Sequence, residues 1–124
     1  MNDHLDLDSI RAFQRKFSKA RDWDEFHTPK NLSIALAVEA AELLEHFQWL
    51  TADESKRIAK NPAKVKAVSD EVSDILYYLI RLSDILEIDL EKSFWDKMRR
   101  NEAKYPVKLA KGNAKKHTEL RKPK

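Results

Sequence analysis

Apolar residues recur along this chain at the three-to-four-residue interval of amphipathic helices. Ile10, Phe13, Phe17 and Ala20 mark one face and predict a first helix over residues 8–20, capped by Asp8 or Ser9. The pattern stops at RDWDEFHTP, a segment rich in Asp and aromatics that closes on Pro29. Thr28 before Pro29 is a start signal, an N-cap with proline at the first helical position, and a second helix is expected from Pro29 to Trp49. Thr51-x-x-Glu54 matches a capping box and predicts a short helix over 52–60. Asn61-Pro62 repeats the start signal. A third helix is expected from Pro62 to Glu87, with Val65, Val68, Val72, Ile75, Leu76, Leu79, Leu82 and Leu86 as its apolar set. Asp89 is placed to cap a fourth helix from Leu90 to Lys104, with Phe94, Trp95 and Met98 as core contacts. Tyr105-Pro106 ends it, because proline disfavours helix at the residue before it. Beyond that point Gly112 and scattered basic residues show no period.

Two acidic couplets interrupt the apolar pattern. Glu39 and Glu42 lie among Leu32, Leu36, Leu43 and Phe47, and Glu71 and Asp74 lie among Val68, Val72, Ile75 and Leu79. Spacing of i, i+3 sets two side chains on one helix face, about 60° apart around the axis. A carboxylate in an apolar stripe is costly unless something neutralises it. The third helix is read as supplying no Lys or Arg on that face, so a divalent cation is the expected neutraliser. Oxygen-only donors select a hard ion, and Mg²⁺ is the expected one. One such couplet alone would be an ordinary solvated face. Two, each on the apolar side of its helix, point to a metal site, and the other reading is a buried acid–base network.

Several neighbours bear on the chemistry. Glu45, three residues after Glu42, reads as an outer ligand, a base for a bound water, or a surface charge. His46 lies four residues after Glu42, but a di-iron carboxylate bundle needs Glu-x-x-His on two helices, and that pattern is missing. Tyr78 lies one turn beyond Asp74 and is expected to line the pocket into which the acids open. Trp23, Phe26, Trp49 and Tyr77 read first as core residues. Trp49, at the end of the second helix, is also placed to stack on a nucleobase. His27 precedes a helix start and reads as a base or phosphate contact or as an ordinary loop histidine.

Composition adds bounds. A chain of 124 residues is expected to form one domain. Charged residues at 36% and a single Gly favour long surface-charged helices, an all-α, four-helix bundle-like fold. The absence of Cys excludes disulfides and thiolate metal sites. No apolar run approaches the roughly 20 residues that span a bilayer. MNDHLDLDS lacks a basic stretch followed by an apolar one, so the expected location is cytoplasmic and no membrane partner is expected. The net charge of +3 hides an asymmetry, because residues 99–124 hold ten Lys/Arg against two acids. A helical domain over 1–106 and a basic, partly irregular tail over 107–124 are therefore expected. The tail reads as solvated, or as a phosphate-binding or oligomer-bridging arm. Lys97, Arg100 and Lys104 fall at i, i+3, i+7, a basic stripe that suits phosphate oxygens or a solvated face. The two longest helices carry apolar residues around more than half their girth, with Ile34, Leu44 and Leu50 on one and Ile80 and Ile85 on the other. That excess predicts a homo-oligomer.

Taken together in order, F-H-x-P-[KR]-N-L, E-x-x-E, F-Q-W, E-x-x-D and K-M-x-x-N-x-x-K-Y-P closely resemble the MazG-like all-α nucleoside triphosphate pyrophosphohydrolases. The likeness is greatest to the dCTP pyrophosphatase branch and runs from about Ile10 to Leu120. It implies a MazG-type fold assembled as a dimer or a dimer of dimers. It implies Mg²⁺ held by Glu39, Glu42, Glu71 and Asp74, and hydrolysis of a (d)NTP to NMP and pyrophosphate. His27, Trp49, Tyr78 and Asn101 would shape the base and sugar pocket, and Lys97, Arg100 and Lys104 would meet the triphosphate. Many relatives carry two adjacent acids at the start of the first couplet. Here Val38 precedes Glu39, so Glu42 or Glu45 would orient the water, or the metals alone would suffice. The rival expectation is a non-enzymatic helical module whose basic tail contacts nucleic acid. It leaves the acids in the apolar stripes unexplained, so nucleic acid is not expected as a partner.

Overall fold

The computed structural model describes residues 4–120, and all regular structure among them is helical. The helices are α1 (Leu7–Ala20), α2 (Pro29–Glu45), α3 (Ala52–Arg57), α4 (Pro62–Ile85), α5 (Leu90–Lys104), α6 (Val107–Ala110) and α7 (His117–Leu120). Short 3₁₀ turns occupy Asp24–Phe26 and Ile58–Lys60. The chain forms two compact units, the first ending at Ile88 and the second beginning at Asp89. Among the described residues no helix is long and apolar enough to cross a membrane. Residues 1–3 of the expected N-terminal segment and 121–124 of the expected tail lie outside the described residues.

The start signals act through their side chains. Thr28 Oγ1 accepts from the Asn31 amide at 3.2 Å, Asn61 Oδ1 from Lys64 at 3.2 Å, and Asp89 Oδ1 from Lys92 at 3.1 Å. Thr51 and Glu54 form the reciprocal capping box, at 3.1 and 2.9 Å. Each satisfies an amide that a helix start leaves unbonded.

Several boundaries differ from expectation. Asp6 caps α1, accepting from the Ser9 amide at 3.1 Å, so Asp8 and Ser9 lie inside its first turn. α2 ends at Glu45, four residues early. The His46 and Phe47 amides bond back to Leu43 and Leu44 at 3.2 and 2.9 Å, which tightens the chain into turns. α4 ends at Ile85 because Glu87 takes φ 55°, and the Glu87 and Ile88 amides return to Asp84 and Ser83 at 3.1 and 2.8 Å. α1 closes the same way through Asp22 at φ 54°, with the Asp22 and Trp23 amides on Lys19 and Ser18. That closure turns the chain back so that Asp24 meets Ser18. Beyond Pro106, where no period was expected, two one-turn helices form.

In the first unit α2 and α1 both pack on α4. α1 runs parallel to α4 in a register set by polar atoms. Gln14 Nε2 donates to the Tyr77 carbonyl at 2.9 Å, and four residues on in both helices Ser18 Oγ accepts from Arg81 Nη2 at 3.5 Å. The buried residues of α1 are therefore Gln14 and Ser18, while Phe13, expected inside, is 62% exposed. Among the described residues the buried apolar side chains are Leu32, Ile58 and Ile80, of which Leu32 and Ile80 are fully enclosed. Trp23 and Phe26 lie at the surface instead of in the core. Trp23 still meets Phe17 edge-on at 5.7 Å, and Phe17 meets Tyr77 at 6.3 Å. In the second unit Phe94 and Trp95, also expected inside, are exposed and pack on each other at 5.1 Å. Asp96 on α5 pairs with both Lys92 and Arg99.

Arg81 is buried, and its charge is answered on two sides. Nη2 donates to Asp24 Oδ1 at 3.1 Å, and Nη1 lies 3.7 Å from Asp84 Oδ2. Asp84 also accepts a two-pronged pair from Arg15, at 2.8 and 2.6 Å. That hydrogen bonding holds the Asp84 carboxyl below the ordinary range. Asp84→Asn leaves a buried guanidinium short of charge, and it should cost about 3 kcal/mol of unfolding free energy in urea melts. Arg15→Met, at an exposed position, should cost under about 1 kcal/mol.

Candidate metal centre and substrate face

α2 and α4 run antiparallel, and their acidic faces meet. Glu39, Glu42 and Glu71 each offer a carboxylate oxygen, and the three oxygens lie within 4.8 Å of one another. All three side chains are half-buried. Glu39 Oε2 and Glu71 Oε2 are shut off from solvent and have no hydrogen-bond partner among the described residues. Two buried acceptors without a donor, beside a third carboxylate, form a donor set suited to a hard cation.

The electrostatics agree. The Glu39 carboxyl is pushed up to about 7, first by burial, then by the adjoining Glu42 and Glu71 carboxyls and the charge of Asp74. Asp74 stands outside the three-oxygen group and is exposed, yet its charge reaches both Glu39 and Tyr78. Tyr78 is half-buried next to the acids, and burial followed by the charges of Glu39, Asp74 and Glu42 raises its hydroxyl. Its ring lies edge-on to Tyr77 at 5.2 Å.

The remaining expected residues fall differently. Glu45 is the exposed last residue of α2, outside the group. His46, which the missing Glu-x-x-His pattern set aside, returns to the site. The turn after α2 brings its Nε2 to 3.7 Å from Glu71 Oε1. Trp49 lies beyond the end of α2 and is 87% exposed, so it is not a core residue. His27 sits at the far end of the same face of α4, where Nδ1 accepts from Arg81 Nε at 3.1 Å. Lys97, Arg100, Asn101 and Lys104 lie on α5 in the second unit, and the Asn101 carbonyl there accepts from the Tyr105 amide at 2.9 Å.

Sequence reasoning missed three residues. Arg81 continues Glu71, Asp74 and Tyr78 at i+10, so the third predicted helix does carry a cation on its acidic face. It pairs with Asp24 and Asp84 and leaves the glutamates unneutralised. Asp24 gave no signal beyond its loop. Gln14 is polar at a position the apolar period assigned to no face, yet it is 1% exposed and its Oε1 has no partner.

The raised Glu39 carboxyl has a consequence for stability. A folded-state value above the unfolded one means that the folded protein holds the proton more tightly. The stabilisation is complete below about 4.5, the ordinary glutamate value, and is lost as pH rises through about 7. In EDTA, the melting temperature of the wild type should fall over that window more steeply than that of Glu39→Gln. Parallel profiles for the two proteins would remove this account of the cluster.

The chain is similar to known proteins over most of its length. The MazG-like family profile matches residues 34–120. The chain is 41% identical to dCTP pyrophosphatase 1 of Bos taurus over 114 residues, covering 92% of this chain and 68% of that protein. It is 40% identical to dCTP pyrophosphatase 1 of Homo sapiens, covering 92% and 67%. A crystal structure of a pyrophosphatase from Archaeoglobus fulgidus superposes with a TM-score of 0.74 at 36% identity, covering 86% of this chain and 97% of that one. An all-helical fold with paired acidic couplets, matched over most of its length to these proteins, belongs to the MazG-like family.

Proposed function

We propose that this protein is a Mg²⁺-dependent nucleoside triphosphate pyrophosphohydrolase that converts dCTP or a related pyrimidine nucleotide to the monophosphate and pyrophosphate. The observation that carries the reading is the group formed by Glu39, Glu42 and Glu71, with two buried oxygens that lack any donor. The curated dCTP pyrophosphatases to which the chain is similar support the reaction class and the base. A four-carboxylate face repels a triphosphate, so substrate binding at this face calls for a cation between them. Bound there, Mg²⁺ would supply charge neutralisation for the phosphates and acidify a water.

The chain's own residues take the other roles. Glu39, Glu42, Glu71 and Asp74 hold the ion. Glu45, exposed one turn past Glu42, orients the water in place of the acid that Val38 replaces. Tyr78, beside the carboxylates, and His27, along the same face of α4, line the nucleoside side. Lys97, Arg100 and Lys104 are assigned to the triphosphate. Residues 1–106 form the catalytic domain, and 107–124 a basic tail. A release assay with each dNTP and NTP, resolved by chromatography, should give monophosphate and pyrophosphate with Mg²⁺ and none with EDTA, dCTP ranking first. Glu39→Gln, Glu42→Gln and Glu71→Gln should each lower turnover at least about 100-fold with helicity unchanged. Full turnover in all three would sink the assignment.

The same reading includes a cytoplasmic homodimer or homotetramer. Its support is the exposed apolar set on the two pairing helices, Ile34, Val38 and Leu44 on α2 and Val65, Val72 and Leu79 on α4. Sedimentation should give at least twice the 14.5 kDa chain mass. A clean monomer would rule the assembly out.

A further inference from the structure

The bond between Arg81 and His27 settles which ring nitrogen of His27 carries the proton. A guanidinium has only donors and stays protonated in proteins. Arg81 Nε donates to His27 Nδ1 at 3.1 Å, so Nδ1 holds a lone pair. Ser18 Oγ, 3.3 Å from Nδ1, is not a rival donor, because its hydrogen goes to Asp24 Oδ1 at 2.5 Å. A neutral imidazole carries one N–H, which leaves it on Nε2. Protonating Nδ1 as well would set one N–H against another beside a buried cation. Burial, and then the Arg81 charge, hold the ring below the ordinary histidine range against the pull of Asp24. The guanidinium is itself pinned by Asp24 and Asp84.

We propose that Arg81 is a positioning residue that locks His27 as the neutral Nε2–H tautomer, so that His27 offers the substrate one hydrogen-bond donor and no charge. The part concerning substrate rests on the pyrophosphohydrolase reading above. Arg81 lies ten residues beyond Glu71 on α4, roughly 15 Å along the helix axis. A nucleotide whose phosphates meet the carboxylates at the Glu71 end carries its base toward the Arg81 end. An uncharged donor there fits a lone pair on the base, a ring carbonyl or an unprotonated ring nitrogen. A phosphate would instead favour an imidazolium, which Arg81 opposes.

Long-range ¹H–¹⁵N correlation spectra of the labelled protein at pH 7 test the tautomer directly, with His27→Gln assigning the resonances among the four histidines. The expected spectrum has an unprotonated Nδ1 and a protonated Nε2 for His27. An Nδ1–H tautomer or an imidazolium at that pH overturns the proposal. Kinetics test the consequence. Arg81→Lys keeps a positive charge toward Asp24 and Asp84 but loses the Nε donor. It should raise KM about tenfold, the worth of roughly one hydrogen bond, with kcat little changed. His27→Gln presents a donor that needs no tautomer, so adding Arg81→Lys to it should bring no further loss. A loss carried undiminished into the double variant means that Arg81 serves only the fold, and overturns the proposal. If no nucleotide is hydrolysed, the substrate role falls with the functional reading, while the spectrum still decides the tautomer.

Discussion

A buried arginine, 4% exposed, has to have its charge answered where it lies, because arginine does not release its proton. Much of the first unit is arranged to answer the charge of Arg81. The turn after α1 supplies Asp24 and His27, α1 supplies Ser18, and α4 itself supplies Asp84, braced from outside by Arg15. The left-handed closure at Asp22 turns the chain so that Asp24 reaches Ser18 and the guanidinium. The two polar ties, Gln14 to Tyr77 and Ser18 to Arg81, share one offset and fix α1 against α4. Desolvating ions offsets much of the attraction between them. The network therefore specifies a register more than it adds stability.

The other end of the same face has the opposite condition. Arg81 is paired with Asp24 and Asp84, whereas Glu39 and Glu71 each bury an oxygen that nothing among the described residues satisfies. Packing α2 on α4 buries the Glu39 carboxyl beside other acids, and burial first, then Glu42 and Glu71, raise it. Native proteins leave few buried polar groups unpaired, and those that persist call for an explanation outside the fold. One stripe on α4 thus runs from an acidic end that the protein leaves unneutralised to a basic end whose charge it pairs.

The helices were legible because their start signals are local. Thr28-Pro29, Thr51-x-x-Glu54, Asn61-Pro62 and Asp89 each act within four residues of the chain, and each caps the helix it announced. The ends were less legible. α2 and α4 stop where backbone amides turn back early, at His46 and Glu87, and neither residue is a glycine that would have marked the stop. The face of α1 was misread because the apolar period follows hydrophobicity, and Gln14 and Ser18 are buried through the hydrogen bonds they make across helices.

The candidate site divides along the same line. The sequence by itself determined that Glu39 and Glu42 share one face and Glu71 and Asp74 another, since i, i+3 spacing on a helix permits nothing else. Only the tertiary structure decided which acids meet. Glu39, Glu42 and Glu71 converge, Asp74 stands at the rim, and His46 enters from a turn. Only the tertiary structure, too, joined His27 to Arg81 across 54 residues. Side-chain meetings between helices depend on axial register and on the turns that set it, and helical periodicity carries no record of either.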